Sequence, residues 1–163
     1  SETEEDALEE GAALVQELVR ESGLGLLGFG CLADVQDEMV RTAMAGGILQ
    51  AAAMKVPVVL DGVATCKAAR KAAELAPQVL EYCFAGHVSA EVGAEEALDE
   101  LHLSAPLRLH IPDGAGEGAA LCFTLFNAGI KAFKEMETFE EAGVHAEKKE
   151  FSLAEQNKKE QGK

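Results

Sequence analysis

Two glycine-rich stretches of this sequence could bind an anion. Gly28-Phe29-Gly30 follows a short apolar run, whereas Gly114, Gly116 and Gly118 alternate beside one carboxylate, Glu117. Glycine lets the backbone approach a ligand closely, and free N–H groups at a helix start bind phosphate. Glu117 could act as a general base, or it could complement the dipole of the following helix. Gly28-Phe29-Gly30 lacks the third glycine of a dinucleotide motif, so it could equally be a tight strand exit.

Single polar residues follow two other apolar runs. Asp61 comes directly after Val56–Leu60 and could hold a ribose hydroxyl or orient a substrate. An Asp-Gly pair is equally typical of a turn. Ser89 follows Val79–Phe84 and is expected to cap the helix that begins at about Ala90. The N–H groups at the start of that helix could also attract an anion.

The cysteines do not have the spacing of a metal site. They are Cys31, Cys66, Cys83 and Cys122, and no two lie closer than 17 positions. No Cys or His pair has zinc-ligand spacing, and none of the four histidines, His87 included, stands out. We therefore expect no metal and no cofactor, and free thiols in a reducing compartment.

The charge balance argues against two classes of partner. The formal net charge is −15, with clusters of acids in Ser1–Glu21 and Glu91–Glu100. Nucleic acids and anionic membranes both require basic surfaces, so neither is an expected partner. The acidic beginning of the chain does not resemble a signal peptide, and no apolar run is long enough to span a bilayer. The sequence therefore predicts a cytoplasmic protein.

The elements that must position these residues alternate regularly. A first helix has apolar residues at three- and four-residue steps, with Thr3 at its start and Gly23 at its end. Four apolar runs follow, each with a helical segment after it. The predicted strands are Leu24–Phe29, Val56–Leu60, Val79–Phe84 and Leu107–Ile111. The predicted helices after them are Asp37–Met54, Val63–Leu75, Ala90–Leu101 and Gly118–Ala142.

This order predicts an α/β fold with three layers. Each connection is long enough to hold a helix, which favours a doubly wound, mostly parallel four-stranded sheet with helices on both faces. Ligands of such sheets bind at the carboxyl ends of the strands, where the residues above are expected to meet. Residues 1–143 are predicted to form one domain, and residues 144–163 a charged tail.

Five segments resemble the nicotinate-nucleotide:dimethylbenzimidazole phosphoribosyltransferases. They are Gly47–Ala53, Val56–Gly62, His87–Glu91 with Gly93, Gly114–Leu121 and Glu135–Val144. The resemblance implies an enzyme that displaces nicotinate from nicotinate mononucleotide with a benzimidazole nitrogen. It also implies a homodimer. The family has an amino-terminal part and a long central segment that this sequence lacks.

The family's reactive groups do not align with matching residues here. Its Gly-Glu-Gly-Thr-Gly-Ala motif is similar to Gly114–Ala119, which places the family's general base at Ala115. Its phosphate-site segment resembles Gly25–Ala33, where the family's glutamate is replaced by Leu26. The family's arginine before the glycine motif is replaced by Pro112.

These departures predict a non-catalytic relative, or pseudoenzyme, that retains the fold for binding. Its ligand would be nicotinate mononucleotide, a benzimidazole-type base or a protein partner. The alternative is a working transferase in which Glu117 is the base, with a two-residue gap in the alignment or missing groups supplied by another chain. The expected ligand contacts in either case are Gly28, Gly30, Asp61, Ser89, Gly114, Gly116 and Gly118.

Overall fold

The computed structural model describes residues 2–32, 37–137 and 143. The chain divides into two compact units, Ser1–Ala128 and Gly129–Lys163. The sheet and four of the five α-helices lie within the first unit. The helices are α1 (Glu2–Ser22), α2 (Glu38–Ala53), α3 (Gly62–Leu75), α4 (Ala94–Glu100) and α5 (Glu117–Glu135), and the strands are β1 (Leu27–Phe29), β2 (Val58–Leu60) and β3 (Cys83–Ala85).

The three strands form one parallel sheet in the order β1-β2-β3. Its middle row pairs Gly28 with Val59 and Val59 with Phe84. The main core lies on one face, where residues of α2 and α3 pack on β2. On the other face Val59 packs against Ala119 and Cys122 of α5. The predicted α/β fold, with a parallel sheet flanked by helices, is confirmed.

The predicted fourth strand does not form, so the described sheet has three strands rather than four. Within Leu107–Ile111, two carbonyls accept bonds from the chain after β3: Val88 N–H donates to Leu107 O (2.9 Å) and Ala90 N–H to Ile111 O (2.8 Å). The two donors are therefore two residues apart, whereas the two acceptors are four residues apart. A regular β-ladder requires the same separation on both strands. His110, with φ of +55°, supplies the kink.

The strands are also shorter than predicted. Residues Pro77–Tyr82 form a 3-10 helix, so β3 begins only at Cys83. Proline at the first position of a helix is favourable because its missing N–H would have no partner there. Before β2, Val56 N–H donates to Ala51 O at the end of α2 and is not available to the sheet.

Glycines in α2 allow close packing of the first two helices. A Cβ at Gly46 in α2 would overlap the carbonyl of Leu8 in α1. Asp37 caps α2 by accepting from Met39 N–H at 3.0 Å and Val40 N–H at 3.2 Å. The glycines therefore set the spacing between α1 and α2, and the cap begins α2 where the sequence predicts it.

Several helix ends differ from the predictions. Helix α1 begins at Glu2, so Thr3 lies inside it, while Gly23 ends it as expected with φ of +60°. Helix α5 ends at Glu135, seven residues before the predicted end at Ala142, which itself lies outside the described residues. The predicted tail, residues 144–163, lies outside them as well. None of the helices described here is long and apolar enough to cross a membrane.

Candidate functional site

Asp61 connects the end of β2 to the start of α5. It occupies the N-cap position of α3, but its side chain makes no capping bond to that helix. Its Oδ2 instead accepts from Gly116 N–H at 2.8 Å and from Gly118 N–H at 2.9 Å. The side chain is fully buried. A buried carboxylate thus satisfies donors at the amino end of α5, which would otherwise be free to bind an anion.

His87 packs against the same carboxylate from the chain after β3. Its Nδ1 lies 2.8 Å from Asp61 Oδ1, and both side chains are fully buried. The two atoms are not aligned for a hydrogen bond, so this is a close polar contact. His87 Nε2 has no hydrogen-bond partner in the described chain. A Cβ at position 118 would overlap the His87 ring, so Gly118 is required there.

Glu91, rather than Asp61, caps α3. Its Oε2 accepts from Val63 N–H at 3.0 Å and from the Ser89 hydroxyl at 2.8 Å. The prediction that Ser89 caps the following helix is therefore wrong. That helix, α4, begins at Ala94 with Gly93 in the N-cap position and φ of +84°. Ser89 orients the glutamate that caps a different helix.

The two glycine-rich stretches lie against each other. Cys31 N–H donates to Gly114 O at 2.7 Å. A Cβ at Gly30 would lie 2.6 Å from both the carbonyl carbon of Ala115 and the amide nitrogen of Gly116. Gly28, by contrast, lies on β1 and faces α5, where a Cβ would be 3.2 Å from that of Ala119. The structure therefore brings together the stretches that the sequence singled out, and their contact depends on glycine.

Glu117, the candidate base, is not held in place. It is the first residue of α5 and is exposed. Among the described residues no hydrogen bond or ion pair orients its carboxylate. An acid in the first turn stabilises a helix through the dipole, which is the simpler of the two roles predicted for it.

The nearby thiol of Cys66 is chemically inert. Burial, followed by the charges of Glu91, Cys83 and Asp61, raises the pKa of Cys66 to about 12. A thiol with such a pKa carries almost no thiolate at neutral pH and is a poor nucleophile. The residues described here include no cluster of three or more His, Cys, Asp or Glu side chains that could hold a metal ion.

The sequence could not reveal which of these polar residues meet. Asp61 and Ser89 were singled out, but His87 and Glu91 were not given a role in the site. Asp61 bonds to residues 55 and 57 positions further along the chain. These four residues all follow predicted strands, and this was the only feature of the sequence that placed them together, at one edge of the sheet.

Comparisons with known proteins all point to phosphoribosyltransferases. Residues 39–144 match a family model described as phosphoribosyltransferase. The chain is 49% identical over 102 residues to the nicotinate-nucleotide–dimethylbenzimidazole phosphoribosyltransferase of Geotalea uraniireducens, covering 63% of this chain and 29% of that protein. It is 49% identical over 107 residues to the protein of the same name from Chloroflexus aggregans, covering 66% and 30%.

The fold is also similar to that of a solved structure. A crystal structure of the nicotinate-nucleotide–dimethylbenzimidazole phosphoribosyltransferase from Thermus thermophilus matches with a TM-score of 0.77 at 24% identity. The match covers 88% of this chain and 59% of that one. The chain therefore spans about three tenths of the length of the curated relatives it matches.

Proposed function

The chain belongs to the nicotinate-nucleotide–dimethylbenzimidazole phosphoribosyltransferase family, and from this premise we propose that it is a reduced, non-catalytic member that retains the fold for binding. Its ligand is a nicotinate mononucleotide, a benzimidazole-type base or a protein partner. The family's transfer reaction needs a general base for the attacking nitrogen and groups that hold the phosphate.

The lack of a positioned base carries the proposal. Ala115, at the position where the resemblance places the family's glutamate, has no proton acceptor. Glu117 lies two residues further on, is exposed and has no partner among the described residues that orients it. General bases act within hydrogen-bond reach of the proton they remove, and a displacement of about 1 Å can cost roughly 100-fold in rate. An unanchored carboxylate two residues away is a poor substitute.

The phosphate side of the site has also lost polar groups. Leu26 replaces a glutamate and packs with the small apolar cluster around Val59, Ala119 and Cys122. Pro112, which replaces an arginine, is exposed and carries no charge. Nearby, two backbone donors of the glycine loop are already used by Asp61. The residues that match the family's motifs support the fold. The positions that differ from those motifs are the ones that would have supported the reaction.

Binding without turnover is supported by the exposed end of β1. Gly28 and Gly30 are both exposed there, so their backbone is accessible to a nucleotide or an aromatic ring. This surface does not need the lost carboxylate in order to bind.

The experiment pairs turnover with binding. The wild-type chain and Glu117→Gln are each incubated with nicotinate mononucleotide and dimethylbenzimidazole, and both compounds are titrated by calorimetry. We expect no ribotide from either chain and the same binding heat from both. Ribotide formation by the wild type that Glu117→Gln abolishes, with binding intact, would establish the alternative function. If neither compound gives binding heat, the proposed ligand is the protein partner.

A further inference from the structure

We infer that Asp113 is a site of spontaneous covalent modification, at which its link to Gly114 rearranges to an isoaspartyl linkage. The sequence contains two Asp-Gly pairs, Asp61-Gly62 and Asp113-Gly114. Their surroundings in the structure differ, and only the second pair has the freedom that the reaction requires. This inference goes beyond the proposed loss of catalysis and does not depend on it.

The reaction needs only the chain and water. The backbone nitrogen of Gly114 attacks Cγ of the Asp113 carboxyl group, and an N–C bond forms while the carboxyl hydroxyl leaves with the amide proton as water. The product is a cyclic succinimide. Water then adds to the former main-chain carbonyl carbon of Asp113 and breaks its bond to the nitrogen. The main chain afterwards runs through Cγ, and the old carbonyl is a free carboxylate. Glycine favours the attack because it has no Cβ beside the nitrogen.

Asp113 is free to react in this way. It is exposed and lies outside every described helix and strand, just before α5. Among the described residues its carboxylate has no hydrogen bond or ion pair, and the N–H of Gly114 donates to no acceptor. Groups that are not held elsewhere can reach a near-attack geometry, in which the reacting atoms are about 3–3.5 Å apart. Solvent at the exposed side chain supplies the water for the second step.

Asp61-Gly62 has the same sequence but not the same freedom. The Asp61 side chain is fully buried, and its Oδ2 accepts from the N–H groups of Gly116 and Gly118. Turning this carboxyl group toward the nitrogen of Gly62 would break both bonds and leave two donors without an acceptor, which is costly. The fold therefore protects this pair, and the chain contains its own matched control.

The rearrangement alters the start of α5. It inserts one atom into the main chain directly before Gly114, which lengthens the chain there by about 1.5 Å. Gly114 is buried and accepts from Cys31 N–H at 2.7 Å, and a Cβ at this position would lie 2.5 Å from the carbonyl oxygen of Asp61. Because the surroundings are this close, the loop must shift. We therefore expect the bonds from Gly116 and Gly118 to Asp61 to weaken.

Ageing of the intact chain tests the site. The folded wild type is incubated for several weeks in ¹⁸O-labelled water at neutral pH and physiological temperature, and is then digested with trypsin in ordinary water. Trypsin cleaves at basic residues on both sides of each pair, so the pairs fall in separate peptides, 56–67 and 109–131. We expect an isoaspartyl isomer carrying ¹⁸O to accumulate at Asp113 and not at Asp61. A sample digested without incubation controls for isomerisation during digestion.

Two variants and an unfolded sample establish the cause. Asp113→Glu should form no isomer, because its longer side chain must close a larger ring. Asp113→Asn reacts by the same route but releases ammonia, a better leaving group than hydroxide, and should be modified faster than the wild type. In concentrated urea both pairs of the wild type should react, since the fold no longer protects Asp61.

Amide hydrogen exchange measures the consequence for α5. We expect exchange at Gly116 and Gly118 to be at least about tenfold faster in the isomerised wild type than in equally aged Asp113→Glu. The inference is overturned if Asp113 forms no isomer in the folded chain, or if Asp61 reacts there as fast as Asp113. It is also overturned if the isomer forms and exchange at both glycines is unchanged.

Discussion

His87 Nδ1 lies 2.8 Å from Asp61 Oδ1, with both side chains fully buried. The other oxygen of Asp61 accepts from the N–H groups of Gly116 and Gly118. One carboxylate therefore joins the end of β2, the chain after β3 and the start of α5. Buried polar groups that depend on one another in this way are costly to separate.

Replacing Asp61 should test how much stability this junction provides. Asp61→Ala leaves the N–H groups of Gly116 and Gly118 without their acceptor and removes the polar contact with His87, and we expect it to cost about 3–5 kcal/mol of unfolding free energy. Asp61→Asn keeps one acceptor oxygen for the N–H groups and should cost less. Urea unfolding measures both, with Asp99→Ala, at an exposed position of α4, as the control. A loss below about 1 kcal/mol for Asp61→Ala would contradict the assigned role.

Two glycines of α5 should respond in opposite directions to the same substitution. In Gly118→Ala the new methyl overlaps the His87 ring, and overpacking of this kind typically costs about 1–3 kcal/mol. In Gly129→Ala the methyl meets nothing within 4 Å, and replacing glycine in a helix interior gains about 0.5–1 kcal/mol. Thermal unfolding of the two variants measures the difference. Equal effects would mean that His87 is not packed on Gly118.

An ion-pair group on the opposite side of the sheet predicts a pH effect. Lys71 Nζ lies 2.6 Å from Glu38 Oε1, and Arg41 pairs with Oε2. The hydrogen bond from Lys71, followed by that from Arg41, lowers the pKa of Glu38 from 4.5 to about 2. Because the folded pKa lies below the unfolded one, the stabilisation is present above about pH 4.5 and is lost as the pH falls through about 2.

Glu38→Gln removes this titration. Its urea midpoint should therefore fall less than that of the wild type between about pH 5 and pH 2. The Glu38 side chain is 52% exposed, so we expect a small difference that added salt reduces. Glu9→Gln, at another exposed carboxyl, is the control and should follow the wild-type profile. Identical profiles for all three chains would show that Glu38 does not contribute.

The fold could be predicted from sequence wherever the signal was local. Val56–Leu60 contains β2 because a short apolar run between turn residues has few other interpretations. Leu107–Ile111 is also a short stretch with apolar residues at alternate positions, but it forms no strand, since the left-handed backbone of His110 changes its pairing. Neighbouring residues do not encode that conformation, so composition alone predicts one strand too many.

The sequence predicted where the candidate site lies in the fold, but not which of its residues contact each other. Parallel strands place their carboxyl ends at one edge, which is why Asp61 and the glycines were expected together. Ser89 was expected to cap the next helix, a local rule that the structure overrides. The actual cap of α3 is Glu91, which comes 28 residues after the amide it accepts from. A contact of that separation is set by tertiary packing and has no signature in a single sequence.

The central claim is that the fold has been kept and the transfer chemistry has not. It is tested most directly in a single-turnover reaction, with the chain in excess over nicotinate mononucleotide and with dimethylbenzimidazole present. Released nicotinate is measured over time. We predict release no faster than in a protein-free control, because Ala115 offers no base and general-base catalysis typically contributes about 100- to 10,000-fold. Release that requires the wild-type chain and disappears in Glu117→Gln would contradict the claim.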